Sequence, residues 1–451
     1  MNKPEMALTP RLLASPNGFH TLYSGPMELH VDAKTLPGRG RITFHLSPSV
    51  RTGFSFEGNP DVDPWGQSFA NCRVVIPKKN VALDNTLVTR SGSSMNGHPR
   101  LTVEGILNGP AEVLTGPEEL SYVIFHLLNF PRPGLGSRPI QDRKLQSRWL
   151  GRLCLVAEEW QVDLDGIENA ADVYRDLEAT QGYGITHVAK LRRTDGRLFG
   201  ISDANGVLNA LYHFFSLCRG IECGPQYAVG YSRHHAKIWQ NWQPTRVGSW
   251  RNNQNFLWSW CYESTHNMEV LFDGFMRIWK QPTWRSEGQD IGPLVLAIHW
   301  YLASNSRAGG MEAGLIHAAI ALELLSWSLM VTDRAAISPD GFTRLPLADQ
   351  LRLMLDRLSI PDVIPDALVS LKKAAKTNNW DAPAAIAGIR NRIVHPKGAA
   401  NNSHFYSREL RYEAWKLATE LLELSLLGLL GYDGKYHSRI ALNQLSVPWT
   451  K

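Results

Sequence analysis

Near Trp250 the chain changes texture, and this change constrains its fold more than any other feature. Ahead of it, from about Gly18, short alternating segments are broken by Gly, Pro, Asn and Asp, which is the pattern of half-buried strands joined by turns. Candidate strands are Arg41 to Leu46, Cys72 to Pro77, Leu101 to Ile106, Leu153 to Ala157, Ile185 to Leu191 and Tyr227 to Tyr231. One clear helix, Ala204 to Cys218, interrupts them. After the Asn-rich turn Arg251 to Asn255, strand alternation nearly disappears and apolar residues recur at helical spacing. Helices are expected at Met268 to Trp279, Gly292 to Ser304, Met311 to Thr332, Pro346 to Leu358, Asp362 to Lys376, Asp381 to His395 and Ser407 to Leu430. Helices in succession with short connections imply an antiparallel bundle. The expected fold class is therefore α+β, with a β-rich domain over residues 1–250, an all-α bundle over 265–451 and a boundary between about Trp250 and Asn267.

A chain of 451 residues exceeds one ordinary core, in keeping with that division. Lys plus Arg total 47 against 42 for Asp plus Glu, and the +5 excess divides between the halves with no dense basic block. A nucleic-acid binder of this composition would work through a local patch. The cysteines, Cys72, Cys154, Cys218, Cys223 and Cys261, are odd in number and form no Cys-x-x-Cys pair, as expected of reduced thiols in the cytoplasm. Cys218 and Cys223 with His234-His235 match zinc spacing only loosely, and Cys218 lies in an apolar run where a buried thiol is the simpler reading. No metal and no cofactor are expected. The amino terminus has no apolar stretch of a secretion signal. Ala313 to Val331 is almost long enough to span a bilayer but contains His317 and Glu323, so a buried helix of a soluble, cytoplasmic protein is expected rather than a membrane partner.

The residues that point to chemistry are Arg390-Asn391-Arg392-Ile393-Val394-His395-Pro396. Imidazole moves a proton near neutral pH, guanidinium stays charged and forks onto phosphate oxygens, and a primary amide can orient either. Together they are groups that cleave RNA without a metal. Asp381 is a good helix cap, Pro383 is tolerated in a first turn, and Pro396 with Gly398 stops the helix after His395. In ideal geometry Asn391 and His395 share a face, whereas Arg390 lies about 140° from His395. Either the arginine reaches around, or Pro396 unwinds the last turn and gathers the three groups. In the preceding long helix Glu323 lies within an apolar stripe of Ile316, Ala319, Ile320, Trp327 and Met330, so it is expected to be buried and either protonated or paired with a cation of a neighbouring helix, for which Arg390 or Arg392 is the natural candidate. The plain alternatives are an ion pair that fixes bundle register, and cations in a last helical turn that favour the negative end of the dipole. His317 reads as a satisfied core histidine.

From Met268 to Leu430 the chain resembles the HEPN superfamily (higher eukaryotes and prokaryotes nucleotide-binding), especially its ApeA-like abortive-infection branch. The matching pieces are Leu322-Glu323-Leu324-Leu325, Ile389 to Pro396, and a closing helix from Tyr406 to Leu430. The family's arginine, following polar residue and later histidine correspond to Arg390, Asn391 and His395; a tyrosine two residues beyond the histidine, found in one toxin subgroup, is Lys397 here. The resemblance implies a metal-independent endoribonuclease that leaves 2′,3′-cyclic phosphate ends, an antiviral defence role, and a homodimer in which two copies build one site. His395 would transfer the protons, Arg390 would stabilise the phosphorane-like transition state, and Asn391 would orient one of them. The β-rich domain would bind the RNA or a phage or cellular trigger. Its Trp239, Trp242, Trp250, Trp258 and Trp260 could stack bases or simply pack, and Arg233 with His234-His235 could contact phosphate or form a solvated loop. The competing readings are a non-catalytic nucleotide- or RNA-binding module and a dimerising interaction scaffold.

Overall fold

The computed structural model describes residues 4–31, 34–58, 72–77, 81–94, 100–117, 119–131, 137–144, 146–250, 265–285, 291–395 and 407–450. The chain divides into two compact units: one holds the described residues up to 212 and again 223–250, the other 213–222 and those from 265 onward. The Asn-rich turn and the expected boundary segment lie largely outside the described residues.

The first unit begins with a short strand, β1 (Glu5–Met6), and a closed barrel in the order β2 (Phe19–Val31), β3 (Lys34–His45), β4 (Arg51–Gly58), β7 (Arg100–Leu107), β6 (Val81–Ser94) and β5 (Cys72–Ile76). Strict alternation dictates this closure: along β7, Leu101, Val103 and Leu107 are buried while Arg100, Thr102 and Glu104 face out. Gly40 on β3 sits where a Cβ would lie 2.5 Å from the Met27 sulfur and from the Ser55 carbonyl, so only glycine lets those strands close.

Next come β8 (Glu112–Leu114), β9 (Glu119–Leu120), β10 (Tyr122–Leu128), β11 (Arg138–Gln141), β12 (Arg148–Ala157), β13 (Trp160–Gly166), α1 (Ala170–Thr180), β14 (Ile185–Arg193), β15 (Phe199–Gly200), α2 (Ile201–Arg219), β16 (Gln226–Tyr231) and β17 (Lys237–Asn241). With β1, all of these strands except β9 and β15 build a nine-stranded sheet in the order β1-β11-β12-β13-β14-β10-β16-β17-β8, parallel at β1-β11 and antiparallel elsewhere, while β9 and β15 pair with each other. The barrel interior and one sheet face share a core in which Phe44, Phe54, Phe56, Ile124, Val229 and Trp242 pack together. Their apolar surface is the main source of stability for this unit.

The second unit contains α3 (Thr265–Trp279), α4 (Pro293–Ser306), α5 (Gly310–Trp327), α6 (Pro339–Thr343), α7 (Leu347–Arg357), α8 (Val369–Asn378), α9 (Ala382–Val394), α10 (Arg408–Leu429) and a hairpin of β18 (Lys435–His437) and β19 (Gln444–Ser446). A π-helical turn, Ser328–Asp333, extends α5. Helix α5 is central, with α4, α7, α9 and α10 around it. The α+β class stands. Residues 310–333 are long and apolar enough to cross a membrane, yet 61% of an apolar 18-residue window within them is buried inside the protein, as in a core helix. Helix α8 starts later than its periodicity suggests, because Pro365 disfavours helical geometry at Ile364 and the chain turns before Val369.

Candidate active site

Helix α9 carries the motif, and both its ends are fixed by local chemistry. Asp381 caps it, its Oδ1 accepting from the Ala384 N–H at 2.8 Å. The same carboxylate takes Arg352 of α7 in a fork, with Nε at 2.5 Å and Nη2 at 3.0 Å. Partial burial works against the charged carboxylate, but the Arg352 fork and the Ala384 N–H outweigh it and hold the Asp381 carboxyl below its ordinary value. Ala382, Pro383, Ala385, Ile386, Ala387 and Ile389 face the core.

At the other end the helix stops at Val394, and His395 leaves α geometry with φ −125° and ψ 74°. The His395 N–H donates to the Asn391 carbonyl at 2.8 Å. Pro396, Lys397, Gly398 and Tyr406 lie outside the described residues. Arg390 is half-buried, and its Nη1 donates to the Asn391 side-chain oxygen at 2.9 Å. Its Nε is buried without an acceptor among the described residues. Asn391, Arg392 and His395 are exposed. The fold thus joins Arg390 to Asn391, while the His395 side chain has no hydrogen-bond or ion-pair partner among the described residues. The three groups share one open helix end, and the imidazole can reorient toward a ligand.

Glu323 differs from expectation. It is half-exposed on α5 and has no hydrogen bond or ion pair among the described residues, so it pairs with neither Arg390 nor Arg392. The buried face of α5 is Gly314, Leu315, Ala318, Ala319, Ala321, Leu322, Leu325 and Ser326; of the expected stripe Ala319 and Met330 are buried, while Ile316, Ile320 and Trp327 are half-exposed. Small residues win because they admit close neighbours: a Cβ on Gly314 would lie 2.9 Å from the Trp415 ring of α10. His317 is likewise half-exposed rather than in the core, with its ring stacked 5.4 Å from Trp300.

The buried charges of this unit lie elsewhere, in α10 and the segment after it. Glu423 and Arg439, 2% and 7% exposed, meet at 2.5 Å. Tyr301 of α4 donates to Glu423 at 3.1 Å, and Arg439 donates to the Asn305 side-chain oxygen at 2.9 Å. Glu420 accepts from the Ser438 hydroxyl at 2.9 Å and the Ile440 N–H at 2.8 Å. Burial pushes both carboxyls up, against the hydrogen bonds and the Arg439 charge. The sequence signal was present as two glutamates in Thr419-Glu420-Leu421-Leu422-Glu423-Leu424, where periodicity leaves no exposed face for both. This network pins the carboxy-terminal hairpin and is closed to ligands.

In the first unit Trp239, Trp242 and Trp250 are buried, at 1%, 0% and 8% exposure, and are packing residues rather than base-stacking platforms. Trp258, Trp260 and Cys261 lie outside the described residues. A cavity of about 930 Å³ opens beside residues 7–16, but its buried carboxylate, Asp165, is already held by Arg152 and the Leu8 N–H.

Residues 291–448 match the family model of the YopA C-terminal domain, and residues 115–253 match that of the YopA central domain. The chain is also similar to the SPbeta prophage-derived uncharacterized protein YopA of Bacillus subtilis (strain 168). The two are 27% identical over 363 residues, which cover 77% of this chain and 76% of that protein. No solved structure matches. Arg390, Asn391 and His395 fall inside the first matched span, and the strands from β9 to β17, which include all of the large sheet except β1 and β8, fall inside the second.

Proposed function

We propose that the helical unit is a metal-independent endoribonuclease of HEPN type, acting as a cytoplasmic homodimer in defence against phage. What carries the reading is the open carboxy-terminal end of α9, where a guanidinium already oriented by an amide lies five residues from an exposed imidazole. In the reaction a ribose O2′ attacks phosphorus, forming the P–O2′ bond as the P–O5′ bond breaks. His395 of one copy takes the O2′ proton and His395 of the second copy gives a proton to O5′, leaving a 2′,3′-cyclic phosphate and a 5′-hydroxyl. Arg390 stabilises the charge that builds on the non-bridging oxygens, and Asn391 fixes the Arg390 fork. One imidazole per chain is the reason that two copies are required.

Incubation of total RNA in EDTA with the wild type, Arg390→Ala and His395→Ala tests the reading. Cleavage by the wild type alone is expected. Equal degradation by all three, or none by any under phage infection, removes it. RNA binding that Arg390→Ala weakens, with no cleavage under any condition, would instead indicate a non-catalytic RNA-binding module.

A further inference from the structure

Three cations of the first unit make no ion pair within 4 Å among the described residues and lie around two stacked tyrosines, although Asp163, opposite Lys190 on β13, partly offsets the Lys190 charge. Tyr122 of β10 and Tyr231 of β16 are directly paired across the sheet, and their rings stack at 4.8 Å with an interplanar angle of 12°. On the other side of β10, Lys190 of β14 holds its Nζ 4.5 Å from the Tyr122 ring centroid. Arg11, from the amino-terminal segment, holds its guanidinium carbon 5.3 Å from the Tyr231 ring centroid. The third cation, Arg143, is exposed and acts on the Tyr122 phenol electrostatically, as does Arg11. The hairpin loop of Arg233 and His234-His235 contributes His235, whose Nδ1 lies 3.2 Å from the Tyr122 hydroxyl.

The nearby carboxylates are already committed. Asp163 faces Arg192 at 3.5 Å and accepts from Gln161 at 2.7 Å, while Asp165 is forked by Arg152. Cation–π contacts hold Lys190 and Arg11 in position, and the Asp163 carboxylate that faces Lys190 is shared with Arg192. The Arg11 Nε is buried with no acceptor among the described residues, a cost that a bound oxyanion would remove. Both faces of the Tyr122 ring are occupied, one by Tyr231 and the other by Lys190, so no base stacks there.

We propose that this corner of the sheet binds a phosphate group, seated between Lys190 and Arg11 beside the Tyr122 hydroxyl, with the exposed Arg143 adding positive charge from further off. Two guanidinium groups and an ammonium suit an oxyanion of more than one negative charge and several acceptor oxygens. The phosphate is carried by a free nucleotide or by a nucleic-acid backbone. The site stands apart from the α9 reading, and its test is built to stay separate.

Calorimetric titrations use the full chain carrying Arg390→Ala and His395→Ala, so that the α9 end adds no phosphate contact. The ligands are inorganic phosphate, ADP and a short single-stranded RNA at low salt. Added Lys190→Met is expected to weaken binding roughly tenfold, the scale of one charge-assisted contact. Arg143→Gln, at an exposed position where packing is untouched, is expected to act in the same direction. Binding of phosphate or ADP weakened by both changes supports a free-nucleotide source. Binding of RNA alone, weakened in the same way, supports the backbone. No binding of any of the three, or binding that both changes leave intact, overturns the proposal.

Discussion

Arg390 and His395 are held very differently, and their substitutions should report that difference. Arg390 is anchored by Asn391 and half-buried, so Arg390→Ala removes a fixed charge; His395 is exposed, so His395→Ala removes only the imidazole proposed to carry the protons. Cleavage should fall by about 100-fold or more in each, the scale of one positioned acid or base, with melting temperature unchanged for His395→Ala. Asn391→Ala should cost about tenfold, through loss of the Arg390 fork alone. A second residue-scale prediction concerns His126, which is fully buried in the first unit. Its Nε2 accepts from the Arg11 and Leu12 N–H groups at 2.8 and 3.1 Å, and burial pushes its pKa down to about 3. The folded pKa lies below the unfolded value near 6.5, so the stabilising contribution is complete above that value and is lost as pH falls toward 3. His126 should contribute about 1.4 kcal/mol per pH unit to the slope of denaturant melts across that window, beside the contributions of His187 and His213, which burial lowers to about 3 and about 4. His126→Gln should lower the slope by about that amount and leave the His187 and His213 share; an unchanged slope would contradict the assignment.

At the scale of elements, Glu423 makes the sharper test. Glu423→Ala leaves the Arg439 guanidinium buried beside Trp415 without its carboxylate, at a cost of about 3–5 kcal/mol. Glu423→Leu with Arg439→Met should recover most of that loss, because it removes both charges together; equal destabilisation of the single and double variants would mean that the pair is not the source. The elements also mark where the sequence was readable. Alternation revealed the strands at β3, β5, β7, β12, β14 and β16, and periodicity revealed α2, α3, α4, α5, α7, α9 and α10, because each has a buried face. The ends of α9 followed from Asp381 and Pro396. Which face of α5 turns inward was not readable, since hydrophobicity marked Ile316 and Ile320 while close approach to α10 selected Gly314 and Ala318. Partners distant in sequence, such as Glu423 with Arg439 and Tyr122 with Lys190, leave no local trace, and neither does barrel closure between β2 and β5.

For the whole molecule, the account requires two copies per site. Light scattering should give twice the 50.5 kDa of one chain. Val394, apolar yet 40% exposed beside His395, is expected at the contact, so Val394→Glu should give monomers and abolish cleavage together. A monomeric Val394→Glu protein with full activity would refute the shared site. The most direct measurement of the central claim uses a DNA oligonucleotide with a single embedded ribonucleotide, incubated with the wild-type protein in EDTA and analysed by mass spectrometry. The account predicts one break, at the ribose, with a 2′,3′-cyclic phosphate on one product and a 5′-hydroxyl on the other, and an intact all-deoxy control. Breaks in the all-deoxy strand, a 5′-phosphate product, or an equal yield from the His395→Ala protein would contradict it.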